Sequence, residues 1–324
     1  MANVNIVTPA TRASNSKLID PGIKKIWFDE YKQLEPKLEK VLKVESMSTA
    51  YEDETNYAGL GEVPEVAEGE TYTEDAILHT YDTTYTAGKR GFLIPVSYEL
   101  DEDQLKKVQG QTKTAARAVA RTVEKLGASM LVNGYDTSYT SYGDSKPLFS
   151  VSHTRADGGT AQSNASSTGI TLTDANLETG ILSMRDQLDD RGNMIEAIPN
   201  VLLVPPALEK EAIIITKSDK RSGTADNDKN VNAMTEYTGG KLNVIVWDYL
   251  GSAAGGSDTA WYLLGSDHKL MWKWRIKPRI EKLNDSVGAK NDIYYWKARF
   301  RSTFGWSDWR CVWGSKGDGQ AYAS

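Results

Sequence analysis

Residues 101–133 read DEDQLKKVQGQTKTAARAVARTVEKLGASMLVN. Apolar or small residues recur at Leu105, Val108, Thr112, Ala115, Val119, Val123, Leu126 and Met130. The steps alternate between three and four, which holds one stripe on one helix face. Asp101 with Gln104 three positions on has the form of a capping box, and Asn133-Gly134 supplies a stop, because glycine tolerates the left-handed conformation that ends helices. At 1.5 Å per residue the predicted helix is about 50 Å long, more than the diameter of a small domain. It reads either as a core helix of a large α/β enzyme or as a spine joining distant parts of an extended subunit.

The stretch before it is strongly acidic. Between 52 and 75 stand Glu52, Asp53, Glu54, Glu62, Glu65, Glu68, Glu70, Glu74 and Asp75, with no Lys or Arg, and Gly59, Gly61, Pro64 and Gly69 break any helix. Residues 77–85 alternate like a strand, 88–91 (GKRG) read as a turn, and 92–96 as a second strand. The expectation is a long two-stranded acidic excursion just ahead of the spine. A hairpin alone is marginal in water, so it needs a surface to lie on, in its own subunit or in a neighbour.

The far end of the chain has the opposite charge. Between 269 and 316 there are twelve Lys or Arg against Glu281, Asp285, Asp292 and Asp308, and six of the nine Trp. Residues 271–276 and 294–303 alternate like strands with Lys or Arg on one face. Such a stripe is the solvated face of an antiparallel sheet, a surface for the acidic hairpin, or, with its interleaved aromatics, a single-stranded nucleic-acid track.

The other segments are ordinary. Residues 1–19 read as a polar arm, and Asp20-Pro21 starts a helix with Ile23, Ile26, Trp27, Tyr31 and Leu34 on its apolar face, ended by Pro36. Residues 135–167 read as loop. A helix capped by Thr173 or Asp174 carries Leu177, Ile181, Met184 and Leu188 and is closed by Gly192. A strand at 200–204, a helix at 207–217, a polar loop at 218–232 and strands at 242–247 and 261–264 follow.

Composition excludes several classes of function. The chain has 324 residues, 40% hydrophobic and 25% charged, with a net charge of −6, which gives the whole chain no nucleic-acid signature. One cysteine, Cys311, rules out an internal disulfide framework and reads as a packing thiol. The N-terminus has no secretory h-region, so Asn164-Ala165-Ser166 reads as a chance sequon. His79, His153 and His268 lack ligand spacing, and no nucleophile elbow, P-loop or dinucleotide fingerprint is present. Asp226-Asn227-Asp228 lacks the glycine and distal Glu of a calcium loop. No catalytic, cofactor or metal residues are therefore assigned.

Short stretches resemble the major head subunit family of Mu-like tailed bacteriophages, in that family's order. They are 57–64 (YAGLGEVP), 91–104 (GFLIPVSYELDEDQ), 146–153 (KPLFSVSH), 200–212 (NVLLVPPALEKEA), 261–267 (WYLLGSD) and 304–310 (FGWSDWR). One departure is Glu68-Gly69-Glu70, where the family pattern is aromatic and Arg-containing. The resemblance implies an α+β, Hong Kong 97-like capsid fold with an N-terminal arm (1–50), an E-loop hairpin (51–91), a peripheral domain carrying the spine (92–199), an axial domain (200–264) and a return to the peripheral sheet (265–324).

It also implies a non-enzymatic major capsid protein. Such a subunit forms hexamers and pentamers around packaged DNA and is assembled in the bacterial host cytoplasm with a portal, decoration proteins and a scaffold that is a separate chain or already removed. Contact with DNA would be non-specific, and no membrane is involved. The candidate inter-subunit residues are Glu52, Asp53, Glu54, Glu62, Glu65, Glu68 and Glu70 on the acidic side. On the basic side they are Arg117, Arg121 and Lys125, spaced i, i+4, i+8 on the spine, with Lys273, Arg275, Lys277, Arg299 and Arg301. The rivals are a β-rich carbohydrate-binding module using the C-terminal Trp residues, and a hydrolase using paired carboxylates of the acidic run.

Overall fold

The computed structural model describes residues 12–34, 36–141, 143–217, 242–283 and 292–322. The calcium-like triplet at 226–228, the polar loop at 218–232 and most of the predicted arm lie outside them. The chain divides into two compact units. One holds 1–36, 87–124 and 274–302, and the other holds 37–86, 125–273 and 303–324.

The first unit contains α1 (Arg12–Gln33), β4 (Gly88–Ser97), α3 (Tyr98–Asp103) and α4 (Leu105–Val132) as far as Glu124. It also holds most of β8 (Leu270–Leu283) and β9 (Ile293–Trp306). α1 begins before the predicted Asp20-Pro21 start, so Pro21 lies inside the helix. Ile23, Trp27 and Glu30 of α1 are buried, at the steps of four and three that a helix face requires.

The predicted spine is two helices. The Ser97 side chain accepts the Leu100 N–H at 3.3 Å, so the helical turn starts at Tyr98 and Asp101 lies inside α3. Gln104 then leaves helical geometry at φ −139° and ψ 53°, and α4 restarts with the Lys107 N–H donating to the Gln104 carbonyl. α4 is 28 residues, about 42 Å at 1.5 Å per residue. Its buried stripe is Val108, Thr112, Ala115, Val119, Val123 and Met130, and the buried Thr112 hydroxyl donates to the Val108 carbonyl at 2.9 Å.

β4 pairs antiparallel with β9 from Gly88↔Ser302 to Ser97↔Ile293. The predicted turn at 88–91 is therefore strand. Gly91 is required because a Cβ there would lie 2.6 Å from the Ala298 carbonyl oxygen. Along β9, Tyr294, Trp296, Ala298, Phe300 and Ser302 are buried, while Tyr295, Lys297, Arg299 and Arg301 alternate with them toward solvent.

The second unit begins with α2 (Leu38–Val41), β1 (Lys43–Ser46), β2 (Tyr51–Ala58) and β3 (Leu78–Thr86). β1 is an edge of the sheet ordered β1-β8-β9-β4. β2 and β3 form the two-stranded sheet, in register from Tyr51↔Thr86 to Ala58↔Leu78. The hairpin thus pairs 51–58 with 78–86, not 77–85 with 92–96. The segment expected as its second strand is taken by β9, about 200 positions away, as in Phe92↔Ala298.

The rest of this unit is a four-stranded sheet in the order β10-β7-β5-β6, with β5 at Pro199–Val204, β6 at Asn243–Val246, β7 at Trp261–Gly265 and β10 at Val312–Ser315. β5 and β6 are parallel, and the other pairs are antiparallel. α5 (Asp174–Arg185) and α6 (Glu209–Lys217) pack on it. Leu177, Ile181, Met184, Leu202, Val204, Ala212, Ile215, Trp261, Leu263 and Trp313 share one core. Burying each large aliphatic contributes about 1.5–3 kcal/mol. The boundaries expected at 199/200 and 264/265 fall inside this core.

Thr173 caps α5 by accepting the Asn176 N–H at 3.2 Å, but the helix ends at Arg185, before Leu188 and Gly192. α4 stops where expected, for a different reason. Gly134 is needed because a Cβ would lie 2.8 Å from the Phe149 ring, and the positive-φ glycines do not include it.

Candidate functional site

The acidic excursion has two parts with different fates. In β2, residues 52 and 54 point to one side and 53 to the other, as strand alternation requires. Lys273 Nζ lies 3.5 Å from Glu52, 3.7 Å from Glu54 and 3.7 Å from Glu45 of β1, and 4.5 Å above the Tyr85 ring. The Lys273 side chain is only 8% exposed. Glu54 also accepts the Ser307 hydroxyl at 3.1 Å. Asp53, on the other side, accepts the Thr84 hydroxyl at 2.6 Å across the strand pair. Burial, then the charge of Glu54, pushes the Tyr85 hydroxyl well above its ordinary range. The structure therefore brings Glu52, Glu54 and Lys273 together within one chain, where they hold the hairpin down. Lys273 is not an open inter-subunit cation.

Residues 59–77 connect the two strands. Their neck is tied at Asp75, whose carboxylate accepts the Gly61 N–H at 2.7 Å and the Arg191 guanidinium at 2.9 and 3.1 Å. Arg191 also donates to the Ala76 carbonyl. The Gly61 N–H first, then Arg191, holds the Asp75 carboxyl below its ordinary value. Beyond the neck Glu62, Glu65, Glu68, Glu70 and Glu74 are exposed. So are Leu60, Val63 (94%), Tyr72 (82%) and Ile77. Asp75 and Arg191 were not singled out in the sequence. Asp75 is one of nine similar acids, and nothing local links it to Arg191.

The basic surfaces are likewise of two kinds. In the first unit the solvent side of the β8/β9/β4 sheet carries Arg275, Lys277, Arg279, Lys297, Arg299, Arg301 and Lys89. Its acid is Glu281, 2.9 Å from Arg279, 3.5 Å from Arg299 and 3.8 Å from Lys297. A shallow cavity of about 380 Å³ opens here, lined by Lys89, Phe92, Leu93, Leu283, Lys297 and Arg299. On α4, Arg117 Nε pairs with Glu30 at 2.6 Å, while Arg121 and Lys125 are exposed.

Among the described residues, no group of three or more His, Cys, Asp or Glu is placed to hold a metal. His79 is exposed beside Asp82 at 3.4 Å. His153 is fully buried, 2.7 Å from Asp144, and stacks on Trp309 at 4.2 Å. His268 Nδ1 accepts the Leu270 N–H at 3.3 Å, which requires a neutral ring, and burial pushes it down to about 4. Burial pushes the Cys311 thiol up to about 11, which suits packing rather than nucleophilic attack. All nine Trp are buried, so none offers the flat exposed face that sugar binding or base stacking requires. The Asn164 side chain is also fully buried, so its sequon is closed to modification.

Residues 80–315 match a protein family described as phage capsid protein, so the acidic loop lies outside the matched span. Solved structures give the same fold at low identity. A virus-like particle from Pyrococcus furiosus aligns with TM-score 0.54 and 8% identity over 91% of this chain and 98% of the other. The capsid of cyanophage P-SCSP1u gives 0.50 and 16% over 87% and 86%, and Mycobacterium phage Adephagia 0.50 and 13% over 86% and 89%. No curated protein sequence matches the chain. Likeness at this identity carries the fold alone, and the narrower Mu-like assignment stays with the short sequence stretches. The family match spans well over half of the chain, and with it this chain belongs to the phage capsid proteins, as a major capsid protein of Hong Kong 97-like fold.

Proposed function

We propose that copies of this chain associate by laying the acidic loop of one subunit, 59–77, on the basic sheet face of its neighbour, building the hexamers and pentamers of a head that encloses DNA. One observation carries this reading. Glu62, Glu65, Glu68, Glu70 and Glu74 stand exposed among apolar side chains, and the β8/β9/β4 face offers seven cations, three of which line a shallow cavity with Phe92, Leu93 and Leu283. Charge of opposite sign steers and registers the encounter, while Val63, Tyr72, Leu93 and Phe92 supply apolar area to bury. Glu52, Asp53 and Glu54 act instead as the hairpin's anchor in its own subunit.

In this reading 51–86 is the E-loop, the first unit is the peripheral domain with α4 as its spine, and the core around β5, β6 and β7 is the axial domain. The subunit is not a catalyst. It assembles in the host cytoplasm with a separate scaffold and a portal, and decoration proteins bind the finished shell.

The test is a charge exchange. E65K/E68K/E70K in one chain and K277E/K297E/R299E in another should each abolish shells in electron micrographs and sedimentation. Mixing the two chains should restore mixed assemblies. Shells from either variant alone would remove the sheet face from the interface. Monomers from the wild type, even with its scaffold, would remove the shell reading.

A further inference from the structure

We infer that the solvent side of α4 is a second, separate binding surface, for the phosphate backbone of nucleic acid. From 104 to 123 the helix carries Lys106, Lys107, Lys113, Arg117 and Arg121 and no acid. All five are exposed, on the side opposite the buried stripe of Val108, Thr112, Ala115, Val119 and Val123. Lys113, Arg117 and Arg121 succeed one another by four residues, so they stand about 6 Å apart along the axis. Arg117 is shared with Glu30 at 2.6 Å, but Lys106, Lys107, Lys113 and Arg121 have no carboxylate within 4 Å among the described residues.

The kind of partner follows from what this face lacks. A protein-docking surface needs an apolar centre that is shielded from water by a polar rim. The sheet face has Leu93 beside its cations, with Phe92 at the rim of the same cavity, and the acidic loop has Val63 and Tyr72. Among the described residues, none of the large exposed apolar side chains belongs to α4. A line of cations without an apolar anchor suits a ligand that is itself a line of charge, bound through released counterions and without sequence readout. The net charge of −6 is a sum over the whole chain and does not oppose this, because 104–123 itself carries five cations and no acid.

The inference goes beyond the shell reading and is tested apart from it. The unassembled full-length chain is titrated into fluorescently labelled random-sequence duplex DNA at several salt concentrations. Wild type should bind in the non-specific range of roughly 10⁻⁴–10⁻⁶ M, with log K falling linearly against log salt. K106Q/K113Q/R121Q, with an unchanged circular dichroism spectrum, should bind more weakly, with a slope shallower by about 2.7, or about 0.9 for each phosphate no longer neutralised. The sheet-face variant K277Q/R299Q should keep the wild-type slope. Absence of wild-type binding, or an unchanged slope in the α4 variant, overturns the inference. Shell formation by the same variants is scored separately. Loss of shells with an unchanged slope would make this face a subunit contact, leaving the capsid reading standing and this inference refuted.

Discussion

Arg191 grips Asp75 by both carboxylate oxygens, at 2.9 and 3.1 Å, across 116 positions of sequence. The Gly61 N–H closes the same carboxylate from the other side at 2.7 Å, so one side chain ties both ends of the acidic loop. Asp75→Asn removes the charge, and Arg191→Lys removes the second nitrogen, Nη2, which donates to the Ala76 carbonyl while Nη1 alone reaches both Asp75 oxygens. Either change should leave the melting temperature nearly unmoved, because the pair is at the surface. Hydrogen exchange of the Gly61 amide and proteolysis within 59–77 should accelerate. The Asp75 carboxyl is depressed in the folded chain, so the clasp is complete above the ordinary carboxylate value of 3.8 and opens as pH falls through the lowered one. Unaltered Gly61 exchange in Asp75→Asn would show that the loop is held by something else.

Lys273 is the opposite case, a nearly buried cation with three carboxylates within 3.7 Å and an aromatic ring beneath it. Lys273→Ala leaves Glu45, Glu52 and Glu54 facing one another with no counter-charge. The carboxylates are partly hydrated, so the second unit should be destabilised by about 1–3 kcal/mol, measured as a lower urea midpoint at unchanged slope. Lys273→Ala combined with Glu52→Gln and Glu54→Gln should recover part of that loss, because the stranded charges go too. Equal stability of the single and triple variants would mean that lost packing, not charge, accounts for the effect.

His268 gives the second unit a pH dependence of predictable sign. Its ring accepts the Leu270 N–H and is pushed down to about 4, first by burial and then by Lys43, from an ordinary 6.5. Between those values the unfolded chain binds more protons than the folded one, so stability rises with pH. The contribution is complete above about 6.5 and is lost as pH falls toward 4, up to about 3 kcal/mol in all. His268→Gln, whose amide oxygen can take the same N–H, should flatten unfolding free energy across pH 4 to 6.5. An equally steep profile in that variant would assign the slope to other groups.

How much of this could be read from sequence depended on whether the signal was local. The α4 stripe from Val108 to Met130 was legible because burial of one helix face leaves a 3.6-residue period. The break at Gln104 was not, since the acids of 99–103 suit the first turn of either helix. Strand positions in β5, β7, β8 and β9 were legible from alternation, but their partners were not. The segment 92–96 has its nearest candidate in 77–85 and instead pairs with β9, because pairing is decided by the tertiary core. The same holds for charge. The pattern shows that Lys273 and Arg299 lie on strands, but not that one is buried among carboxylates and the other faces solvent. The Trp residues invited a surface reading, and their burial is what set the carbohydrate alternative aside.

Asn164 offers the sharpest test of the stretch around 146–153. Its Nδ2 donates to the Leu148 carbonyl at 2.7 Å and to the Trp309 carbonyl at 3.3 Å, while its Oδ1 accepts the Ser150 N–H at 2.9 Å. These contacts fix which end of the amide is which, and they leave His153 Nε2 facing the same oxygen at 3.3 Å. Leu148, Phe149, Ser150 and His153 are all buried around it, so this loop is a structural knot rather than a reactive site. Asn164→Ala strands two carbonyls and an N–H away from water, at about 1–3 kcal/mol for each group left unpaired. The expected total is on the order of 3 kcal/mol or more, because part of the loss relaxes. Asn164→Asp keeps the shape but sets a carboxylate oxygen against two carbonyl oxygens, and should be at least as damaging at neutral pH. Because carboxyl protonation restores one donor, its deficit relative to wild type should shrink as pH is lowered. A deficit that stayed constant with pH would mean that the amide's bonds to Leu148 and Trp309 do not carry the knot.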